Sequence, residues 1–375
     1  MRSYAHAAFR LQVFGLERLR VEPGTVVVVS HRSEQDVPLL IGSLYGRFST
    51  SAGRAGVWPA FAAREDLFLA GFLAGAPPKL PLALRQALWP LSIDGLLTRY
   101  LRCMPVREPT RMRLVELFRA APEHPLAGWL TLGLSAELAA RAAQLRRPPP
   151  LRAADVLEGG YADILWRIIE RDTVPGCEEQ WRVHLRTAVA DFRALVELLR
   201  RGEVAVIFPE GEPSESGEIG LLQGGLASLV RRGRPRSLQP VAIAYDPLLP
   251  GRTRAYVSVA EPLAPASDDL ERAVRHAFRA ATPLTAGQLA ASAVMEGSAL
   301  PELRRAADGW IARALADGRP VARELSSWKR ERMLERAWAR ARRLGPSSDA
   351  VRRLARELRS AHELSSEVGT AEARV

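Results

Sequence analysis

A histidine and an aspartate follow a strongly apolar run, and their spacing would let them act together as a base. Residues 26–29 are four consecutive valines, which predicts a buried strand. His31 comes just after this strand, and Asp36 lies where Pro38 favours the first turn of a helix. A carboxylate at such a connection can accept the Nδ1 proton of the imidazole and leave Nε2 free as a general base. The alternative is a surface histidine in a loop, with Asp36 capping the helix.

A second group of polar residues lies far downstream, at the end of another predicted strand. Residues 203–211 read Glu-Val-Ala-Val-Ile-Phe-Pro-Glu-Gly, and apolar residues at helical spacing in 187–201 predict a helix before them. Gly202 is suited to end that helix. This order indicates a parallel α/β unit with Glu210 at the carboxyl end of its strand. Glu210 could also stabilise a turn by accepting the backbone N–H groups of its neighbours.

Taken together, the two groups resemble the paired motifs of the glycerolipid acyltransferases, which acylate glycerol-3-phosphate or its monoacyl product, lysophosphatidate. The motifs are the histidine–aspartate pair with four residues between them, and Phe-Pro-Glu-Gly at 208–211. Two weaker blocks, Pro-Val-Arg at 105–107 and Pro-Val-Ala-Ile-Ala-Tyr-Asp at 240–246, extend the resemblance over residues 20–265. The resemblance implies an α/β fold, with a central mixed sheet flanked by helices.

The resemblance also implies a role for each motif residue. His31 would be the general base and Asp36 would orient it, so that the acceptor attacks a thioester directly. Glu210 and Gly211 would bind the polar glycerol part of the acceptor, and the guanidinium of Arg107 would bind its phosphate. The donor would be acyl-CoA or acyl-carrier protein, acting as a co-substrate, and neither a further cofactor nor a metal is expected.

The chain departs from the family pattern where a phosphate would be bound. Pro213 stands where the family usually has an arginine, and Gln223 stands where a lysine is usual. Three carboxylates, Glu212, Glu215 and Glu218, add negative charge to the same loop. Two alternatives therefore stay open: an acyltransferase of the same mechanism that uses a hydroxyl or amine acceptor without a phosphate, and a catalytically inactive relative that binds lipids or membranes.

The predicted organisation is one acyltransferase domain with helical additions. The interval between the two motifs is much longer than is usual in the family, and we assign the excess to a helical insertion that is either a lid or added core. A polar C-terminus predicts disorder. In chain order, we expect an N-terminal segment (1–19), the acyltransferase domain (20–265) with its helical insertion (108–186), a helical basic region (266–361) and a disordered tail (362–375).

Composition limits the class of protein further. The 375 residues are 47% apolar, which is enough for a large core. The two cysteines argue against a disulfide framework and favour a reducing cytoplasm. No segment is typical of a signal peptide, and the longest uncharged run, 280–295, is too short and too polar to cross a bilayer.

The net charge of +11 favours an anionic partner. Basic residues are densest in 329–343, where Leu334, Trp338 and Ala341 have helical spacing. Such a helix either lies on an anionic membrane surface or docks on the main domain. No nucleic-acid-binding motif accompanies the charge, so nucleic acid is not expected as a partner. The sequence predicts a cytoplasmic protein, peripheral on the inner face of the cell membrane.

Overall fold

The chain forms two compact units in a computed structural model. The first unit comprises Met1–Trp58 and Leu199–Val375, and the second comprises Pro59–Leu198. The residues that the structure describes are 8–33, 35–44, 59–62, 102–104, 106–127, 132–157, 160–165, 167–170, 177–211, 213–214, 216–222, 224–266 and 269–372.

Strands and helices alternate at first, and helices dominate the later part of the chain. The strands are β1 Arg10–Phe14, β2 Thr25–Val29, β3 Ala60–Ala62, β4 Cys103–Met104, β5 Arg111–Arg113, β6 Ile168–Glu170, β7 Ala205–Ile207, β8 Ser237–Asp246 and β9 Arg254–Val259. The helices are α1 (36–44), α2 Leu114–Ala120, α3 Leu132–Gln144, α4 Ala153–Leu157, α5 Ala162–Leu165, α6 Glu178–Arg200, α7 Gly225–Gly233, α8 Leu270–Ala281, α9 Ala286–Met295, α10 Leu300–Ala316, α11 Arg330–Leu344 and α12 Asp349–Glu372. A short 3₁₀ turn, Leu16–Arg18, follows β1.

The centre of the first unit is a mixed sheet with its strands in the order β1-β9-β8-β2-β7. Strand β2 is parallel to both of its neighbours, β8 and β7. Strand β9 is antiparallel to β8 and parallel to β1. Helix α8 packs on β8, where alanines at 242, 277 and 281 share one cluster and allow a close approach. The predicted α/β fold, a central mixed sheet flanked by helices, is confirmed.

The predicted valine strand is the buried centre of this sheet. All four valines at 26–29 have no exposed surface, so both faces of β2 are covered. A continuous apolar run is typical of a parallel strand with protein on both sides. The strand ends at Val29, and the chain then leaves the sheet at Ser30 and His31. The strand therefore delivers the histidine to the carboxyl edge of the sheet.

The second unit has a hydrophobic core of its own. Strands β3 and β4 pair in parallel, and β5 and β6 pair as an antiparallel ribbon. Helices α2 to α5 and most of α6 lie in this unit, and its buried cluster includes Phe118, Tyr161 and Trp181. The segment 108–186, predicted as a helical insertion, contributes most of these helices and this core. Its proposed role as a lid stays a prediction.

The basic segment at 329–343 lies in α11, which docks on the first unit. Its apolar face, including Leu334 and Ala337, is buried, and the helix packs against α9 and α10. The indole N–H of Trp338 donates to the carbonyl oxygen of Ser298 at 3.3 Å. The basic helix is therefore docked on helices of the C-terminal region, and its contact with a membrane stays a prediction. Among the described helices, none combines the length and the apolar character needed to span a membrane.

The predicted boundary of the disordered tail differs from the structure. Helix α12 continues to Glu372, well into the segment 362–375. This segment contains Glu, Leu and Ala and no proline, so nothing in it forbids continuation of a helix.

A buried carboxylate connects the sheet to the C-terminal helices. Asp246, the last residue of β8, accepts the backbone N–H of Leu248 at 2.9 Å and that of Gly287 at 2.8 Å. Burial raises the pKa of Asp246 to about 6, and the two N–H donors oppose this shift. Gly287 is in the first turn of α9, and a Cβ there would lie 2.2 Å from Oδ1 of the carboxylate. Only glycine allows this close approach.

Candidate active site

His31 is held at the edge of the sheet by its neighbours in the chain. The backbone N–H of Ser30 donates to the carbonyl oxygen of Val241 at 3.0 Å, and the hydroxyl of Ser30 accepts the N–H of Ile243 at 2.9 Å. These bonds continue the pairing of β2 with β8 for one residue beyond the strand. The His31 side chain is 12% exposed, and its Nδ1 lies 2.9 Å from Oδ2 of Asp36. The predicted pair is therefore in hydrogen-bonding contact.

The Asp36 carboxylate is fully buried and accepts several hydrogen bonds. Its Oδ2 accepts the backbone N–H groups of Arg32 at 2.5 Å and Ser33 at 2.9 Å, in addition to the His31 contact. Its Oδ1 accepts the hydroxyl of Tyr245 at 2.7 Å. Because an ionised carboxylate can only accept, Nδ1 of His31 must carry its proton, and the lone pair of the neutral imidazole is at Nε2.

Nε2 of His31 has no hydrogen-bond partner among the described residues. The ring of Phe208 packs against the imidazole, with centroids 4.7 Å apart, and limits its rotation. Two serine hydroxyls near His31 do not bond to Nε2. The hydroxyl of Ser30 is buried and accepts the N–H of Ile243, and the hydroxyl of Ser214 donates to the carbonyl oxygen of Glu218. Within the described part of the chain, the imidazole is therefore arranged to take a proton from an incoming molecule.

The turn 208–211 brings Glu210 back towards the histidine. The N–H of Gly211 donates to the carbonyl oxygen of Phe208 at 3.0 Å, and Gly211 has a φ of 78°, which favours glycine. Glu210 is 7% exposed, and its two carboxylate oxygens accept the backbone N–H groups of His31 at 2.8 Å and Gly220 at 2.7 Å. Both donors are backbone N–H groups, as in the turn-stabilising alternative, but they belong to residues distant in the chain and not to the neighbours of Glu210. Direct binding of an acceptor by Glu210 and Gly211 stays a prediction.

The loop after this turn is fastened to the histidine motif. The N–H of Ser214 donates to the carbonyl oxygen of His31 at 2.9 Å. Nη1 of Arg32 donates to the carbonyl oxygen of Glu218 at 2.7 Å. The departures noted at Glu212, Glu215 and Gln223 lie outside the described residues.

Arg107 lies in the second unit, where its charge is matched by carboxylates. Its Nη1 is 2.6 Å from Oδ2 of Asp191, and its Nε is 3.6 Å from Oε1 of Glu116. The guanidinium side chain is 25% exposed. Its contact with a phosphate stays a prediction, and a phosphate would have to compete with both carboxylates.

Two residues of the site have roles that the sequence did not reveal. Tyr245 lies in the block at 240–246, but nothing in the spacing indicates that its hydroxyl reaches Asp36. That contact depends on the parallel register of β8 against β2. Arg32 follows the histidine directly, and only the folded loop shows that its guanidinium supports residues 216–220.

No protein-family model matches this sequence, and no curated protein is matched by it. Among solved structures, the chain is similar to the crystal structure of the 1-acyl-sn-glycerophosphate (LPA) acyltransferase, PlsC, from Thermotoga maritima. The two share 16% sequence identity with a TM-score of 0.37, over 74% of each chain. At this level of similarity, the site has to be judged from the chain's own residues.

Proposed function

We propose that this protein is an O-acyltransferase in which His31 is the general base and Asp36 orients it. The observation that carries the proposal is the 2.9 Å contact between Nδ1 of His31 and the buried carboxylate of Asp36, together with the unengaged Nε2. The leading reaction moves a fatty acyl group from acyl-CoA or acyl-carrier protein to glycerol-3-phosphate or lysophosphatidate. The order of the two motifs supports this choice of substrates.

The chemistry needs one base and no covalent intermediate. Nε2 of His31 removes the acceptor's hydroxyl proton as the oxygen attacks the thioester carbonyl carbon. The new C–O ester bond forms, the C–S bond breaks, and the imidazolium returns its proton to the leaving thiolate. The Asp36 carboxylate stabilises the transient imidazolium. A positioned base of this kind contributes roughly 10²- to 10⁴-fold in rate.

A second candidate keeps this mechanism but uses an acceptor without a phosphate. It is favoured by the pairing of Arg107 with Asp191 and Glu116, and by Pro213 where the family usually has a cation. For either acceptor, we propose that the protein works while peripheral on an anionic membrane, where lipid substrates or products are found.

The test is an acyl-transfer assay on the purified full chain with both donors. The acceptor panel contains glycerol-3-phosphate, lysophosphatidate, and neutral and zwitterionic lysolipids at matched concentration. We expect His31→Ala to lower the rate by about 10²- to 10⁴-fold while its circular dichroism and melting temperature stay those of the parent. The control is His276→Ala, because His276 is exposed on α8 in the same unit.

Each outcome of this assay is informative. Preference for the phosphomonoesters supports the glycerolipid acceptor, and preference for neutral lysolipids, which carry no phosphate, supports the second candidate. Zwitterionic lysolipids carry a phosphodiester, so preference for them would contradict both candidates. Parent protein that acylates nothing in the panel would contradict the leading acceptors and favour the inactive relative. A parental rate in His31→Ala would show that the proposed mechanism is wrong.

A further inference from the structure

A cavity of about 720 Å³ lies in the first unit, away from the residues of the histidine motif. Its wall comes from β1, from the start of β9 and from α11 with the segment before it. Its volume is in the range of sites that hold small molecules. One carboxylate, Glu324, lies in the wall, together with six cationic side chains, those of Arg10, Arg254, Arg323, Lys329, Arg332 and Arg336.

Most of these cations have no carboxylate partner. Among the described residues, no ion pair involves Arg10, Arg323, Lys329, Arg332 or Arg336. Other arginines of the same region do pair: Arg330 contacts Asp308 at 2.9 Å and Arg304 contacts Glu331 at 2.9 Å. Unpaired like charges around one cavity repel one another, and a bound anion would relieve that repulsion.

The buried member of the set has an unused donor. Arg254 exposes only 6% of its surface, and its Nη1 has no hydrogen-bond partner in the described structure. Its Nε is 3.7 Å from Oε1 of Glu324. Glu324 is already shared, because it accepts the hydroxyl of Tyr256 and the side-chain amide of Gln12. Buried polar groups are normally satisfied, so the partnerless Nη1 leaves the charge of Arg254 incompletely compensated at the cavity wall.

The cavity is at the same edge of the sheet as the candidate active site. Arg254 is opposite Asp246 in the antiparallel pairing of β8 and β9. Tyr245, the residue before Asp246, donates to Asp36. The cavity and His31 therefore share one edge of the sheet, but Tyr245 and Asp246 are consecutive strand residues and point to opposite faces of it.

We propose that this cavity is a binding site for a phosphate-ester anion, either the headgroup of an anionic lipid or a free phosphorylated molecule. Guanidinium groups match the geometry of phosphate oxygens, and several of them converge here. An anionic lipid is one of the two candidate ligands because Trp328, next to Lys329 of the cavity wall, is 88% exposed. An exposed indole next to cations is suited to a membrane interface. The proposal does not depend on acyl transfer.

The experiment measures two probes on the full-length protein. Inorganic pyrophosphate is titrated by calorimetry, and vesicles of phosphatidate in phosphatidylcholine are compared with phosphatidylcholine alone by flotation. The test variant is Arg332→Gln with Arg336→Gln. The control is Arg340→Gln with Arg343→Gln, which makes the same charge change on α11 outside the cavity wall.

We expect saturable binding of at least one probe, weakened about tenfold or more in the test variant and within about twofold in the control. Pyrophosphate binding without a preference for anionic vesicles identifies a soluble ligand. Anionic-vesicle binding that Trp328→Ala also weakens identifies a lipid headgroup. If both probes bind, release of the vesicles by pyrophosphate shows that they share this cavity. No binding of either probe, or equal losses in the two double variants, would overturn the proposal, whatever the acyl-transfer assay shows.

Discussion

Replacement of Glu210 by Gln tests whether this carboxylate positions the histidine or binds an acceptor. In the structure, its two oxygens accept the backbone N–H groups of His31 and Gly220. Glutamine offers one acceptor oxygen and one NH₂ group, and NH₂ cannot accept a hydrogen bond from an N–H. One of the two backbone groups must therefore lose its partner.

The expected cost follows from these two bonds. A hydrogen bond to a charged group contributes about 1.5–3 kcal/mol, and a neutral one about 0.5–1.5 kcal/mol. Glu210→Gln loses one charged bond and reduces the other to a neutral bond, so we expect a loss of about 2–4 kcal/mol in the free energy of unfolding. Because the N–H of His31 either loses its acceptor or keeps only a neutral one, we also expect kcat to fall by about 10²-fold through misplacement of the base.

The assay combines denaturant unfolding with steady-state kinetics on the acceptor that the parent uses. The matched control is Glu218→Gln, since the Glu218 side chain is exposed and the hydrogen bonds of this residue in the described structure are made by its backbone N–H and carbonyl oxygen. We expect the control to keep the parent's stability and kcat. Parental stability in Glu210→Gln, with a raised acceptor KM and little change in kcat, would refute the positioning role and favour direct acceptor binding.

Two further predictions concern Asp36 and the buried carboxylate at the end of β8. Tyr245→Phe removes the hydrogen bond to Oδ1 of Asp36, and we expect kcat to fall about tenfold and the free energy of unfolding to fall by roughly 1–2 kcal/mol. An unchanged kcat would show that this bond does not orient His31 and Asp36. Gly287→Ala would place a Cβ against Asp246 and should lower the free energy of unfolding by about 1–3 kcal/mol. Gly309→Ala, in an exposed helix position with no atom within 4 Å of the new Cβ, should raise it by about 0.5–1 kcal/mol. Thermal unfolding of both glycine variants checks this contrast, and melting temperatures that shift in the same direction would contradict it.

Local features of the site could be predicted from the sequence because they depend on residues close together in the chain. Four consecutive valines specify a buried strand wherever it is placed in a sheet. The contact between His31 and Asp36 spans a single connection, so the spacing and the following helix turn were enough to predict it. The turn at 208–211 was similarly indicated by its proline and glycine.

The contacts that complete the site depended on tertiary structure. Glu210 reaches the backbone of His31 across 179 positions, and Tyr245 reaches Asp36 across 209 positions. Both contacts require β7 and β8 to flank β2 in one particular register. The burial of both faces of the sheet selects this register, and no short segment of the sequence specifies it. The cationic cavity has the same origin, since its side chains come from β1, β9 and α11. The sequence determined which groups could react, and strand order and register decided which of them meet.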